Sequence, residues 1–134
     1  MKLKNIFPVI FLLINSFALT AQEQTRIPPG ISIAFKAGNA AELSKYLNST
    51  VELTVLDKED FYKKNVAEAI LKDFFISYPT KDFIVSHQGA NNYAQYAIGN
   101  LITERGVFRV YFLLKKVGPD LLIHQIRIES ENGK

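Results

Sequence analysis

The spacing of apolar residues is mainly helical between residues 27 and 79, interrupted by an alternating segment at 51–55, and alternates throughout from residue 81 onward. Ile27-Pro28-Pro29-Gly30 opens a first helix, because proline is tolerated in a first turn whose N–H groups have no intrahelical acceptor. Ile31, Ala34 and Phe35 then fall at i, i+3 and i+4 and give that helix one apolar stripe, which Gly38 ends. Asn39 stands as the N-cap of a second helix, with Glu42 at capping-box spacing and Leu43 and Leu47 on the buried side. Val51, Leu53 and Val55 alternate with Glu52 and Thr54, the period of a half-buried strand, and residues 61–64 add a short second strand. Asn65 and Glu68 repeat the capping spacing. Val66, Ile70, Leu71, Phe74 and Phe75 follow as a wide apolar helix face that runs to Tyr78 and stops at Pro79. Four strands complete the chain near 82–88, 93–103, 107–117 and 121–130, separated by QGANN, ERG and GPD.

The turns between these strands decide which residues share a face. Glu104-Arg105-Gly106 suits a three-residue hairpin loop with Gly106 in the left-handed position. That register sets Tyr96, Ile98, Asn100 and Ile102 opposite Leu114, Phe112, Val110 and Phe108, all on the inner face with Phe83, Val85 and His87. A second three-residue loop, Gly118-Pro119-Asp120, places Phe112 opposite Ile126 and Leu114 opposite His124, with Lys116, Leu122 and Ile128 on the same face. A two-residue loop there would turn Leu122, Ile126 and Ile128 outward, a costly one-residue slip. The outer face then carries the pairs Arg109–Glu129 and Tyr111–Arg127, and Tyr111 covers Gly99. Ala97, Leu113 and Ile123 make this outer face less polar than a solvated sheet needs, which predicts a homodimer through it.

The first residues follow a different rule. Lys2 and Lys4 precede the uncharged run IFPVIFLLINSFALTA, the order of a secretory signal peptide, and its apolar part is short for a membrane-spanning helix. Cleavage is expected after Ala21, with Ala18 as the alternative site. This predicts an exported protein, periplasmic or extracellular, with a signal segment at 1–21, one domain at 22–134, and no stable membrane insertion. The sixteen basic residues less Lys2 and Lys4 leave fourteen against thirteen acidic ones, so the formal charge of +3 falls nearly to neutral. A balanced surface of this kind does not predict nucleic-acid binding. The chain has no cysteine, which excludes disulfides, cysteine–zinc sites and a thiol nucleophile.

The order helix, helix, strand, short strand, helix and four-strand meander resembles the nuclear-transport-factor-2-like superfamily of cystatin-like cones. The phrases carrying the resemblance are IAFKAGNAAELSKYL, FYKKNVAEAILKDFF, HQGANNYAQYAIGNLITERGVFRVYFLLKK and LLIHQIRIE. Together they look like a secreted bacterial branch known only as a domain of unknown function. The resemblance implies an α+β domain whose curved antiparallel sheet packs on N-terminal helices. It also implies that a catalytic member would place an Asp, His or Tyr inside the cone. The inner face read above holds no carboxylate, so the Asp base of isomerase-type relatives has no counterpart on the meander strands.

The candidate pocket is therefore built on the polar residues of that inner face. His124 is an imidazole among apolar neighbours, to be satisfied by hydrogen bonds in the core or used as a pocket base. Tyr96 lies two strands away, roughly 10 Å across the sheet, within reach of a shared ligand. Asn100 is a cavity group or a bonded core residue, and His87 and Lys116 would form the polar rim. The two histidines sit three strands apart, roughly 14 Å, which predicts no metal site. No glycine-rich phosphate loop or nucleophile elbow is present, and no cofactor is expected. These features predict a non-catalytic domain that binds a small apolar ligand or a protein partner. The alternative is a small isomerase or hydro-lyase-type enzyme using His124 and Tyr96.

Overall fold

The computed structural model describes residues 27–131. The expected signal segment at 1–21 and its expected cleavage site lie outside the described residues. Pro29 occupies the first turn of α1 (Pro29–Ala37), and Gly38 at φ 63° closes it by turning its N–H back to Ala34 and Phe35. Asn39 Oδ1 accepts the Glu42 N–H at 3.0 Å and starts α2 (Ala40–Ser44), as its spacing predicts. The alternating segment forms β1 (Leu47–Val55), which turns directly into β2 (Lys58–Lys63). Leu47, expected on α2, is instead the buried first residue of β1.

The next helix, α3 (Lys64–Ser77), begins one residue before Asn65, with Lys63 at the cap. The capping box expected from Asn65 is therefore not formed. Ala67, Leu71, Phe74 and Phe75 make the buried stripe of α3, whereas Val66 is exposed. The meander follows as β3 (Thr80–Ala90), β4 (Ala94–Thr103), β5 (Gly106–Val117) and β6 (Asp120–Ser130).

These strands join one curved six-stranded sheet in the order β2-β1-β6-β5-β4-β3, with the helices on one side. Pairing is antiparallel except between β1 and β6, which run parallel, so the sheet is mixed rather than wholly antiparallel. Helix α1 packs on β3 and α3 on β1, and the side chains facing one another between them and the sheet are buried. Phe35 stacks on Phe83 at 4.9 Å and on Phe112 at 5.7 Å, and meets Phe75 edge-on at 6.4 Å. Among the described residues no helix is long and apolar enough to cross a membrane.

The register of the meander differs from the sequence expectation in three places. The β4–β5 turn has two residues, Glu104 and Arg105, and Thr103 pairs with Gly106. The Thr103 hydroxyl closes this turn, donating to Gly106 O at 2.7 Å and accepting the Arg105 N–H at 3.0 Å. Ala97, Gly99 and Leu101 consequently face Phe112, Val110 and Phe108 inside the domain. Tyr96, Ile98, Asn100 and Ile102 turn outward, because a one-residue shift reverses every side chain of a strand.

The β5–β6 turn also has two residues, Gly118 and Pro119, with Val117 paired to Asp120. Ile126 and Ile128 keep their expected inward direction because a bulge restores the parity, whereas between the turn and the bulge the faces are exchanged, with Ile123 inside in place of Leu122. Leu114 pairs with Ile123 and Leu113 with Gln125, leaving His124 as the extra residue. Beyond the bulge, Phe112–Ile126, Tyr111–Arg127 and Arg109–Glu129 pair as expected. A third irregularity separates Val85, paired with Gly99, from His87, paired with Ile98, so Ser86 is extra and His87 leaves the inner face.

Candidate functional site

The five residues singled out from the sequence do not converge. Tyr96 stands on the outer face of β4, stacked on Tyr111 at 6.3 Å and lying across Gly89 of β3. A Cβ at Gly89 would come within 2.6 Å of the Tyr96 ring, so this glycine makes room for the tyrosine. His87 is exposed, its Nδ1 3.2 Å from Ser86 Oγ, which itself donates to Ile98 O. Asn100 sits between Ile84 and Arg109 on the same outer face.

His124, at the β6 bulge, places Nδ1 3.1 Å from Leu122 O, a local contact that the Nδ1-protonated tautomer makes as donor. Lys116 ends the inward row of β5, but it is exposed and borders a surface hollow beside Tyr93, Gln95 and Leu121. The inner pocket expected from these five residues is thus not assembled by them, since Tyr96, Asn100 and His87 lie on the outer side of the sheet rather than facing His124 inside the cone. The physical reason is parity: one residue fewer in the β4–β5 turn and one more at each bulge. Among the described residues no group of three or more His, Asp or Glu side chains is placed to hold a metal ion.

Two surfaces take the place of that pocket. The first is the outer face of β3, β4 and β5, where Ile84 (51% exposed), Tyr96 (38%) and Val107 (36%) adjoin half-buried Ile98, Ile102, Tyr111 and Leu113. Such a patch is more apolar than a solvated sheet face requires. Leu113 was expected here, whereas Ala97 and Ile123, assigned to this face from the sequence, are fully buried on the other side. Arg109, Arg127 and Glu129 border the patch, with Arg127 and Glu129 3.7 Å apart, around a dent of about 410 Å³.

The second is a groove of about 420 Å³ between α3 and the β1–β2 turn. Leu53, Phe74 and Ile70 form its floor, Tyr62 and Tyr78 its walls, and Leu56, Asp57, Lys58 and Asp73 its lip. Tyr78 is held on several sides: it stacks on Phe74 at 4.9 Å, meets Phe108 edge-on at 4.8 Å, and carries the Arg105 guanidinium 4.9 Å from its ring centre. Arg105 is fixed in turn by donating to Ser77 O at 3.1 Å. Leu56 has φ 60°, a left-handed conformation that costs a bulky residue roughly 1–2 kcal/mol, and its N–H donates to Ile128 O at 2.8 Å. Sequence reasoning missed this groove. Its one signal was Leu-Asp, rather than a glycine pair, at the two-residue turn between two strands.

Residues 29–129 match the model of the family described as Domain of unknown function (DUF4783). Among solved structures, a DUF4783 family protein from Bacteroides ovatus is 40% identical, with a TM-score of 0.76 over 79% of this chain and 96% of its own. A cystatin-like domain of unknown function from Nostoc punctiforme is 9% identical, with a TM-score of 0.62 over 77% of this chain and 72% of its own. An Rd1NTF2 variant at 15% identity reaches 0.61 over 75% and 90%. The last two likenesses concern the fold alone. No functionally curated protein matches the chain. The expected α+β cone is thus the fold of the molecule, and the chain belongs to the DUF4783 family, a family of unknown function within the nuclear-transport-factor-2-like, cystatin-like fold class.

Proposed function

We propose that the chain is an exported, non-catalytic binding domain that works through the outer face of its sheet, where two copies meet as a homodimer. The observation that carries this reading is the apolar surface of Tyr96, Ile98, Tyr111 and Leu113, with Ile84 and Val107 flanking the Asn100–Arg109 row that crosses the face. Burying it stabilises an assembly by roughly 25 cal/mol per Å² of apolar area removed from water. A second copy suits this face because a two-fold interface must be self-complementary. Here the apolar rows of β3–β5 lie beside both signs of charge, Arg109 and Arg127 with Glu129, so each copy offers the other apolar area and opposite charges. The rigid Tyr96–Tyr111 stack gives the interface aromatic anchors at low entropic cost.

The test is the mass of the mature protein in solution by light scattering across a concentration series. Wild type should be dimeric at micromolar concentrations, and Tyr111→Glu should be monomeric with its circular dichroism unchanged. A wild-type monomer at every concentration overturns the proposal.

A further inference from the structure

The groove between α3 and the β1–β2 turn lies apart from the outer face, and none of the described residues fills it. Its floor is continuous with the core: Leu53 is 1% exposed and Phe74 4%. Its volume of about 420 Å³ falls in the usual range for small-molecule sites, roughly 300–1,000 Å³.

The walls are preorganised. Phe74, Phe108 and Arg105 lock Tyr78, and the strained Leu56 is held so that its half-buried side chain closes the lip. Backbone strain of this kind collects at ligand clamps.

The charge of the lip selects the occupant. Asp57 and Asp73 both line the groove, against one lysine, Lys58. The ion pairs among the described residues are Lys36–Asp82, Lys45–Glu42 and Arg127–Glu129, so neither groove carboxylate lies within 4.0 Å of a described basic group, Lys58 included. An apolar floor, two tyrosine walls and two unpaired carboxylates complement one kind of molecule: an apolar or aromatic body ending in a cationic nitrogen. The aromatic walls favour the same cation.

We infer that the groove bounded by Leu56, Asp57, Tyr62, Asp73, Phe74 and Tyr78 is a binding site for a small amphiphilic amine. Its apolar body lies on Phe74 and between the two tyrosines, and its ammonium group is held by Asp57 and Asp73. This site is independent of the proposed dimer, since it uses none of the outer-face residues.

The experiment uses three matched probes, phenylpropylamine, phenylpropanol and phenylpropionate. Each is titrated into the mature protein and followed by nitrogen–proton correlation NMR. The amine should shift the resonances of Asp57, Tyr62, Asp73 and Tyr78, the alcohol should shift them more weakly, and the carboxylate not at all. Asp57→Asn and Asp73→Asn should each weaken the amine by about tenfold while leaving the alcohol unchanged, which separates charge recognition from loss of fold. Leu56→Gly relieves the backbone strain and removes the lip, so it should keep or gain stability while losing both the amine and the alcohol. Equal binding of amine and carboxylate, shifts confined to the outer face, or no shifts at all each overturn the assignment. None of these outcomes depends on whether the protein is a dimer.

Discussion

Replacing Gly99 by alanine puts the register of the meander to a direct test. Gly99 faces inward on β4, and a Cβ added there would lie 2.7 Å from the Phe83 ring and 2.8 Å from the carbonyl oxygen of Ile84. The first neighbour cannot swing away freely, because Phe83 is stacked on Phe35 at 4.9 Å in the buried core. The second is backbone of the adjacent strand, and moving it strains the β3–β4 ladder. Overpacking of this kind costs about 1–3 kcal/mol. The unfolded chain loses freedom on Gly→Ala, which returns about 0.4–1 kcal/mol. The net expectation is a loss of about 1–2 kcal/mol, and each kcal/mol lowers the melting temperature of a domain this size by roughly 4–8 °C. Urea titration followed by circular dichroism measures the loss, with an unchanged slope showing that the native state is still formed. Had Gly99 pointed outward beneath Tyr111, as a three-residue turn requires, alanine would be neutral or stabilising. A Gly99→Ala protein as stable as wild type therefore refutes the register and the inward packing of Phe83 together.

Two further outcomes are expected. Thr103→Val keeps the shape of the buried side chain but removes both hydrogen bonds that close the Glu104-Arg105 turn, so it should cost about 1–3 kcal/mol in the same urea titration; an unchanged midpoint would mean the hydroxyl does not hold the turn. Export is checked by N-terminal sequencing of protein recovered from outside the cytoplasm, where the chain should begin at Gln22; an uncleaved cytoplasmic chain refutes it.

The helices and the core were legible because their signals are redundant. The stripe Ile31, Ala34, Phe35 marks α1 and the cap Asn39–Glu42 marks the start of α2, and the structure keeps both, although α2 ends at Ser44, short of Leu47. Strand β5 was legible for the same reason, since Phe108, Val110, Phe112 and Leu114 alternate with polar or half-exposed partners and all point inward. Strand β4 was ambiguous, because both of its faces carry apolar residues: Ala97 and Leu101 on one, Ile98 and Ile102 on the other. Only the turn could choose between them. Glu104-Arg105-Gly106 fits a two-residue or a three-residue loop, and the contact that decides it, the Thr103 hydroxyl, lies in the flanking strand.

The bulges at Ser86 and His124 are less visible still, since an extra residue has no composition of its own. His124 drew notice as a polar residue in an apolar strand. What it marks is the place where β6 absorbs the difference between a short turn and a fixed core. The candidate pocket failed with the register, because four of its five members took their inward direction from the turn lengths or from unbroken pairing.

The parallel contact between β1 and β6 has a consequence for how the chain assembles. Leu53 of β1 takes Ile126 as its neighbour, so the first strand finds its central partner only in the last. A nascent chain that ends before β6 holds the β1–β2 hairpin and the β3–β5 meander as two sheet fragments joined only through the helices. Each then has an unpaired edge where β6 belongs. Closure must wait for the C-terminal strand and span most of the domain, a long-range step of the kind that slows folding. The final strand thus acts as a keystone, and losing it opens the middle of the sheet rather than trimming its rim.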